Sequence, residues 1–332
     1  MPKRNILTLI FGSCAVLILI LDSKTAISGI QSGLDICIRT LIPSLFPFLF
    51  LSGLITGSLS GTKFRIFRPL ETYCRIPPSC GSILPISWLS GYPVGAGNVS
   101  KLQKEGNLTE KDATRLAVLC NNAGPAFLFG IISPFFSGKL TVFILWGIHL
   151  ISAILAAAVL PGAQSPDKPL SETKPLSFSR LMGDSIKTMA SVCGCVTLFR
   201  MILEFLNRWI FWLLPQTLQV PVTGMLELAN GCLMLDRIGN ESIRFITVSG
   251  LLSFGGICVL LQTLSVFPHV HLKTYLWGKT VQTCWSLLLS ASYVSWNNNN
   301  PLPALITAVM ISTSLMIPKH MSRTGQKKEV AF

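Results

Sequence analysis

Apolar runs long enough to cross a bilayer recur along the whole chain, and no other feature constrains its folding as much. A spanning helix needs about 20 mostly apolar residues. Clear candidates are Ile6–Leu21, Leu41–Leu59, Leu140–Leu160, Phe245–Phe267, Tyr275–Val294 and Leu302–Ile317, and Ala113–Phe136 and Met182–Leu206 are less regular ones. Composition closes the alternative. Only 12% of the 332 residues are charged and 50% are hydrophobic, with a mean hydropathy of +0.58. An ordinary globular domain carries roughly 25% charged residues. A soluble enzyme, a disordered chain and a coiled coil are excluded, which leaves an all-α polytopic membrane protein.

The 27 Lys and Arg outnumber the 14 Asp and Glu, for a net charge of +13. Basic residues fall in short stretches between apolar runs, as Lys63, Arg65, Arg68 and Arg75 do. That is the positive-inside pattern of membrane proteins. There is no aromatic-interleaved basic patch and no zinc-finger spacing, so nucleic acid is not an expected partner. Pro2-Lys3-Arg4 ahead of Ile6–Leu21 has the form of a signal peptide. The apolar run is long for one and further spans follow, so residues 1–24 read as a retained signal-anchor helix. The ten cysteines include no C-x-x-C, and Cys193-Gly-Cys195 is the nearest approach. His269-Val-His271 follows Pro268 at a span end. No metal and no cofactor is expected. The chain also lacks G-x-S-x-G, a P-loop, H-E-x-x-H and the Rossmann glycine pattern, so it does not read as an enzyme.

Residues 161–178, which include Gln164-Ser-Pro-Asp-Lys-Pro-Leu-Ser-Glu-Thr-Lys-Pro175, have the composition of a linker. They divide the chain into residues 25–160 and 179–318, followed by a basic tail at 319–332. The two parts open alike. Ile27, Ile30, Leu34, Ile38 and Leu41 recur every three or four residues, as do Phe178, Leu181, Met182, Ile186 and Met189. Each set marks an amphipathic helix feeding a longer apolar segment. Each part also holds a Gly-rich interruption, at Leu89–Ala96 and at Leu252–Ile257. Orientation stays open: Lys3 and Arg4 argue for a cytoplasmic N-terminus, and Lys319, Arg323, Lys327 and Lys328 argue more strongly for a cytoplasmic C-terminus, the alternative being one terminus on the outside. Both require an even number of spans, whereas one anchor plus two equal repeats gives an odd number.

Four interruptions carry the polar chemistry. Irregular backbone at membrane depth is tolerated only where it is buried in protein or lines a wet cavity. Paired broken segments in two halves are the best sequence pointer to a transporter's binding site. The first is Ser90–Asn98, where Gly91, Tyr92, Pro93 and Gly95 cannot continue a helix comfortably; it reads as a re-entrant turn or as an ordinary loop. The second is Cys120–Pro125. Asn121 and Asn122 are adjacent amides in an apolar run, suited to solute hydroxyls or to helix–helix hydrogen bonds, and Gly124 and Pro125 break the helix after them. The third is Gly224–Gly231, in which Glu227 is an intramembrane carboxylate, a candidate for proton or cation coupling or an interfacial Glu, with Asn230 beside it. The fourth is Ser253–Gly256, with Gly255 and Gly256, followed by the lone amide Gln262. Solute contact and tight packing remain alternatives there.

The order and spacing of Gly91-Tyr-Pro-Val-Gly-Ala96, Cys120-Asn-Asn-Ala-Gly-Pro125, Leu226-Glu-Leu-Ala-Asn-Gly231 and Ser253-Phe-Gly-Gly256 with Gln262 resemble the sporulation integral membrane protein family of the YlbJ type. That family carries the nucleoside-recognition, or Gate, domain. Similar segments occur in spore maturation proteins, ferrous-iron transport protein B and concentrative nucleoside transporters. The resemblance covers roughly residues 25 to 318. It implies a multi-pass protein of a bacterial cytoplasmic membrane, two Gate-like repeats and a transport or channel role in a spore former. Gly97 and Asn98 depart from the pattern, which has a Lys or similar polar residue there. The iron transporter's GTPase domain is missing.

The expected architecture is therefore about 8–10 membrane segments in two Gate-like repeats with broken or re-entrant helices. The expected function is transport of a small polar solute, nucleoside-like solutes included. Gly91, Tyr92, Pro93, Gly95, Asn121, Asn122, Gly124, Pro125, Asn230, Gly255, Gly256 and Gln262 would contact the solute, and Glu227 would carry the coupling ion or proton. The partners expected are the bilayer, the solute and, as an open option, further copies in a homo-oligomer. The rival reading is a non-transporting scaffold for spore envelope or cortex assembly.

Overall fold

Glycine or paired amides end helices at Gly91, Asn121 and Gly255, as the sequence predicts. The computed structural model describes residues 3–59, 67–161 and 177–311. The expected linker, the Lys63 and Arg65 loop, the end of the last expected span and the basic tail lie mostly or wholly outside the described residues. The helices are α1 (Lys3–Leu21), α2 (Ser23–Ile36), α3 (Ile42–Leu59), α4 (Arg68–Tyr73), α5 (Ile83–Ser90), α6 (Val94–Lys104), α7 (Glu110–Cys120), α8 (Pro125–Phe127), α9 (Lys139–Val159), α10 (Phe178–Trp209), α11 (Gln216–Leu226), α12 (Leu228–Cys232), α13 (Glu241–Phe254), α14 (Gly256–Val266) and α15 (Leu272–Asn297), with α16 at Leu302–Ile311. A π-helical turn, Cys37–Leu41, joins α2 to α3. No strand occurs among the described residues.

Among the described residues, five segments are long and apolar enough to cross a membrane: Ser23–Ile55, Glu110–Phe135, Lys139–Val159, Phe178–Trp209 and Glu241–Val266. Large apolar side chains on their outer faces, such as Phe143, Ile151, Leu198, Ile202 and Leu261, are exposed, as lipid contact requires. The chain is an all-α multi-pass membrane protein, as its composition predicts.

Contacts fix which helix ends lie together. At one pole, Arg75 Nη2 donates to the carbonyls of Ala158 (3.1 Å) and Leu160 (2.6 Å) at the end of α9. Arg115 pairs with Asp112 at 2.9 Å and donates to the Arg75 carbonyl. His271 N, ahead of α15, donates to Thr114 in α7. At the other pole, Arg244 Nη1 in α13 donates to the Phe135 carbonyl before α9 (2.7 Å), and Arg208 at the end of α10 reaches Thr25 and Asp22 at the start of α2. Phe178 at the start of α10 stacks edge-on with Phe50 of α3, so α10 runs antiparallel to α2–α3. Ser292 of α15 meets Thr307 of α16.

Two helical hairpins do not cross. The α5–α6 hairpin enters from and returns to the first pole, because α6 ends six residues before α7 begins there. The α11–α12 hairpin enters from and returns to the second, where Arg237 holds Gln219 at 2.8 Å. Each hairpin tip lies against a break in a crossing segment. The α5–α6 tip at Gly91 abuts Gly124, and the α11–α12 tip at Gly224 to Leu228 abuts Gly256. By order and contact, the 91–93 turn thus stands opposite Glu227, and the 121–124 break opposite Gly255. The sequence suggested instead that 89–96 matches 252–257, because glycine content alone does not distinguish a hairpin tip from a broken span.

The apolar period of α2 faces outward. Ile27, Ile30, Leu34 and Ile38 are exposed, while the face carrying Gly29, Gly33 and Cys37 is buried against α10. Lipid is as apolar as a protein core, so apolar side chains gain nothing by turning inward, and small residues mark the close helix contact. A Cβ on Gly33 would meet Thr197 Cα at 2.7 Å, and one on Gly29 would meet Met201 Cα at 2.6 Å. Replacement of Gly33 by Leu is expected to force α2 from α10. It should destabilise the protein by about 3 kcal/mol, the upper end for overpacking, read as a lower unfolding midpoint in detergent. The change Ile30→Leu, on the lipid face, should leave the midpoint unaltered.

Candidate functional site

The two hairpin tips meet at one cavity. Its empty volume, mouth included, is about 640 Å³, and it is lined by Gly91, Tyr92 and Gly124 from the first half and by Glu227, Leu228 and Gln262 from the second. Leu45, Phe48 and Leu49 of α3 and Val192 and Val196 of α10 complete its walls. The floor is therefore polar and the sides apolar. Gly91 sits at φ +76° and Gly255 and Gly256 at +85° and +82°, a region that glycine enters without steric cost. The Tyr92–Pro93 peptide is cis.

Glu227 is 2% exposed and is the N-cap of α12. One carboxylate oxygen accepts from Ala229 N (3.1 Å), the other from Asn230 N and Asn230 Nδ2 (2.6 Å each). A carboxylate at a helix start satisfies backbone donors that have no partner in the helix and offsets the dipole there. Two carboxylate oxygens offer about four acceptor sites, so these three bonds leave one unused, and Glu227 lines the cavity. Among the described residues no Lys, Arg or His nitrogen lies within 4 Å of it. The Tyr92 hydroxyl is buried and has no hydrogen-bond partner among the described residues. Gln262 donates to Cys258 Sγ at 3.4 Å.

Asn121 and Asn122 do not line the cavity; they form a buried network directly behind it. Asn121 Nδ2 donates to Thr263 Oγ1 and to Tyr275 OH, both at 2.8 Å. Asn122 Nδ2 donates to the Val118 and Leu119 carbonyls, and its Oδ1 accepts from Gln282 Nε2 at 2.7 Å. Lys279, 4% exposed, donates to the Asn121 carbonyl (2.7 Å), to Asn122 Oδ1 (3.2 Å) and to Gln282 Oε1 (3.0 Å). It thereby places a cation at the C-terminal end of α7, where backbone carbonyls are unpaired. His149 Nε2 accepts from Ala123 N at 3.0 Å, so its proton is on Nδ1, which faces Ser253 Oγ at 3.2 Å. These bonds join residues of the first half to α13, α14 and α15.

The remaining expected residues pack the breaks. A Cβ on Gly95 would meet the Cys120 carbonyl at 2.0 Å and one on Gly256 the Gly224 carbonyl at 2.9 Å. Pro125 opens α8, and Asn230 holds Glu227. Sequence reasoning missed Lys279, Gln282 and the role of His149. Lys279 carried a usable signal, since it is an ionisable residue inside the expected span Tyr275–Val294, the same signal that singled out Glu227. No group of three His, Cys, Asp or Glu among the described residues can hold a metal ion.

No family model matches the sequence, and no solved structure matches it. Among curated proteins, the chain is similar to the sporulation integral membrane protein YlbJ of Bacillus subtilis (strain 168). The two are 23% identical over 323 aligned residues, covering 81% of this chain and 78% of the relative. The match bears out the resemblance to the YlbJ type.

Lys279→Met is expected to leave the Asn121 carbonyl and Asn122 Oδ1 short of donors at a buried site. The loss should be about 1–3 kcal/mol, measured by denaturant unfolding of the purified protein with no solute added.

Proposed function

We propose that this protein moves a small solute across a bacterial cytoplasmic membrane, without catalysing a reaction, and that it serves sporulation as its relative's name indicates. The observation that carries the reading is the meeting of two hairpin tips, entering from opposite poles, at one cavity. Hairpins of opposite orientation around a site at mid-depth suit alternating access, because each tip can withdraw toward its own side while the other stays closed. The solute's polar end would face Glu227, Gln262 and the backbone at Gly91 and Gly124, and its less polar part the Leu and Phe walls. Nucleoside-like solutes fit this division of polar floor and apolar sides. Glu227, buried without a counter-ion at the cavity, is the group suited to carry a proton or cation with the solute.

The basic pole supports an orientation. Arg68, Arg75, Lys101, Lys104, Lys111 and Lys273 lie at the pole where α6 ends and α7 and α15 begin, so this pole faces the cytoplasm. The hairpins add no crossing. Among the described residues, the five long spans with α1, α15 and α16 make an even number of passes, so that Lys3 and Ile311 lie at that pole.

Uptake of labelled nucleosides and small polar metabolites into vesicles, with wild type and Glu227→Gln at equal insertion, tests the reading. Wild type should concentrate at least one solute, and the variant should lose at least about tenfold of the rate. Equal uptake with and without the protein across the panel, together with full rescue of sporulation by Glu227→Gln, would identify a scaffold instead.

A further inference from the structure

The outer face of α2 carries a stripe of polar side chains beside its apolar ones. Lys24, Ser28, Gln31, Asp35 and Arg39 are all exposed and recur at the three- and four-residue steps of a single helix face. Ile27, Ile30, Leu34 and Ile38 flank this polar stripe and are exposed as well. The stripe reaches the depth of the cavity. Cys37, between its last two members, packs against Cys193 and Thr197 near the middle of α10, and Leu41 lines the cavity itself. Asp35 and Arg39 pair with each other, yet their side chains stay 57% and 78% exposed. Ionised side chains at that depth are costly against hydrocarbon and face protein or water.

A related pattern opens α10. Asp184-Ser-Ile-Lys187-Thr-Met189 repeats Asp35-Ile-Cys-Ile-Arg39-Thr-Leu41 with one residue fewer, and the π-helical turn at Cys37–Leu41 takes up the extra residue. Asp184 and Lys187 are exposed, while Met189 and Leu41 are buried. In both halves the charged pair is therefore turned away from this chain's own core.

We propose that the polar stripe of α2 is the contact with a second copy of this chain. Copies in one membrane share an orientation, so their α2 helices run parallel. Asp35 of each copy then lies within about one turn of Arg39 of the other, and the acid–base pair is its own complement across the interface. Ser28 and Gln31, in the same stripe, add the interhelical hydrogen bonds that hold membrane helices together. Gly29 and Gly33 are already occupied by α10, which leaves the polar face for the partner. This interface rests on the depth and exposure of the stripe, not on the transport reading.

The test is the mass of the full chain in nanodiscs, by light scattering, together with co-purification of differently tagged copies. Wild type should be oligomeric. Asp35→Arg alone and Arg39→Asp alone should each lower association at least about tenfold, because like charges then face each other. Co-expression of these two variants should restore association, since one supplies two cations and the other two anions. Helix content by circular dichroism checks that each exposed-site variant is folded. Monomeric wild type, or single variants that associate as well as wild type, would overturn the proposal. Labelling of Gln31→Cys by a water-soluble maleimide in a monomer would show the stripe to line a water-filled crevice instead.

Discussion

A break in a membrane helix leaves backbone N–H and C=O groups with no water to bond, and two of the breaks in this protein show how the fold supplies partners for them. The end of α7 is held by Lys279 on the Asn121 carbonyl and by His149 on the Ala123 amide. The start of α12 is held by its own Glu227 on the amides of Ala229 and Asn230. The signs follow the helix dipole, with a cation where carbonyls end α7 and an anion where amides begin α12. Both groups are enclosed, Glu227 2% and Lys279 4% exposed. Each is kept at its place by local hydrogen bonds, which makes the breaks rigid features rather than frayed ends.

That arrangement also assigns the polar residues two kinds of work. Asn121, Asn122, Gln282, Lys279 and His149 bind across the halves, with Asn121 Oδ1 the member atom left without a partner among the described residues. Glu227, Tyr92 and Gln262 border open volume. A buried network of this kind fixes a unique packing when it is fully satisfied. Behind the cavity, it gives the two hairpin tips a common and firm base. The walls from α3 and α10 are apolar and are set by a different principle, the close crossing of α2 and α10 through Gly29 and Gly33. Small residues permit backbone approach in lipid, where burying apolar side chains yields no advantage.

The fold class, the long spans and the four break points were legible in the sequence, because span length and helix-breaking residues are local properties. Six of the eight expected spans coincide with unbroken helices, or with the described part of one, and Ala113–Phe136 and Phe245–Phe267 prove to be broken at Gly124 and Gly255. The facing of α2 was not legible. Its apolar period is that of any amphipathic helix, and only the position of α10 decides that Gly29 and Gly33 point inward. The pairing of breaks was not legible either, since Gly91 and Gly255 look alike in sequence while one is a hairpin tip and the other lies in a crossing segment.

What the sequence determined by itself is that this chain lives in a bilayer and where its helices must stop. Hydropathy, glycine and proline act through the chain's own neighbourhood. What the tertiary structure decided is which unpaired groups meet. Asn122 finds Gln282, Asn121 finds Thr263, and His149 finds Ser253, all across more than a hundred residues of chain. Glu227 and Gly91 border one cavity. Those encounters depend on two hairpins inserted from opposite poles. No local pattern encodes them, because the free energy that selects them is gained only when both halves are in place.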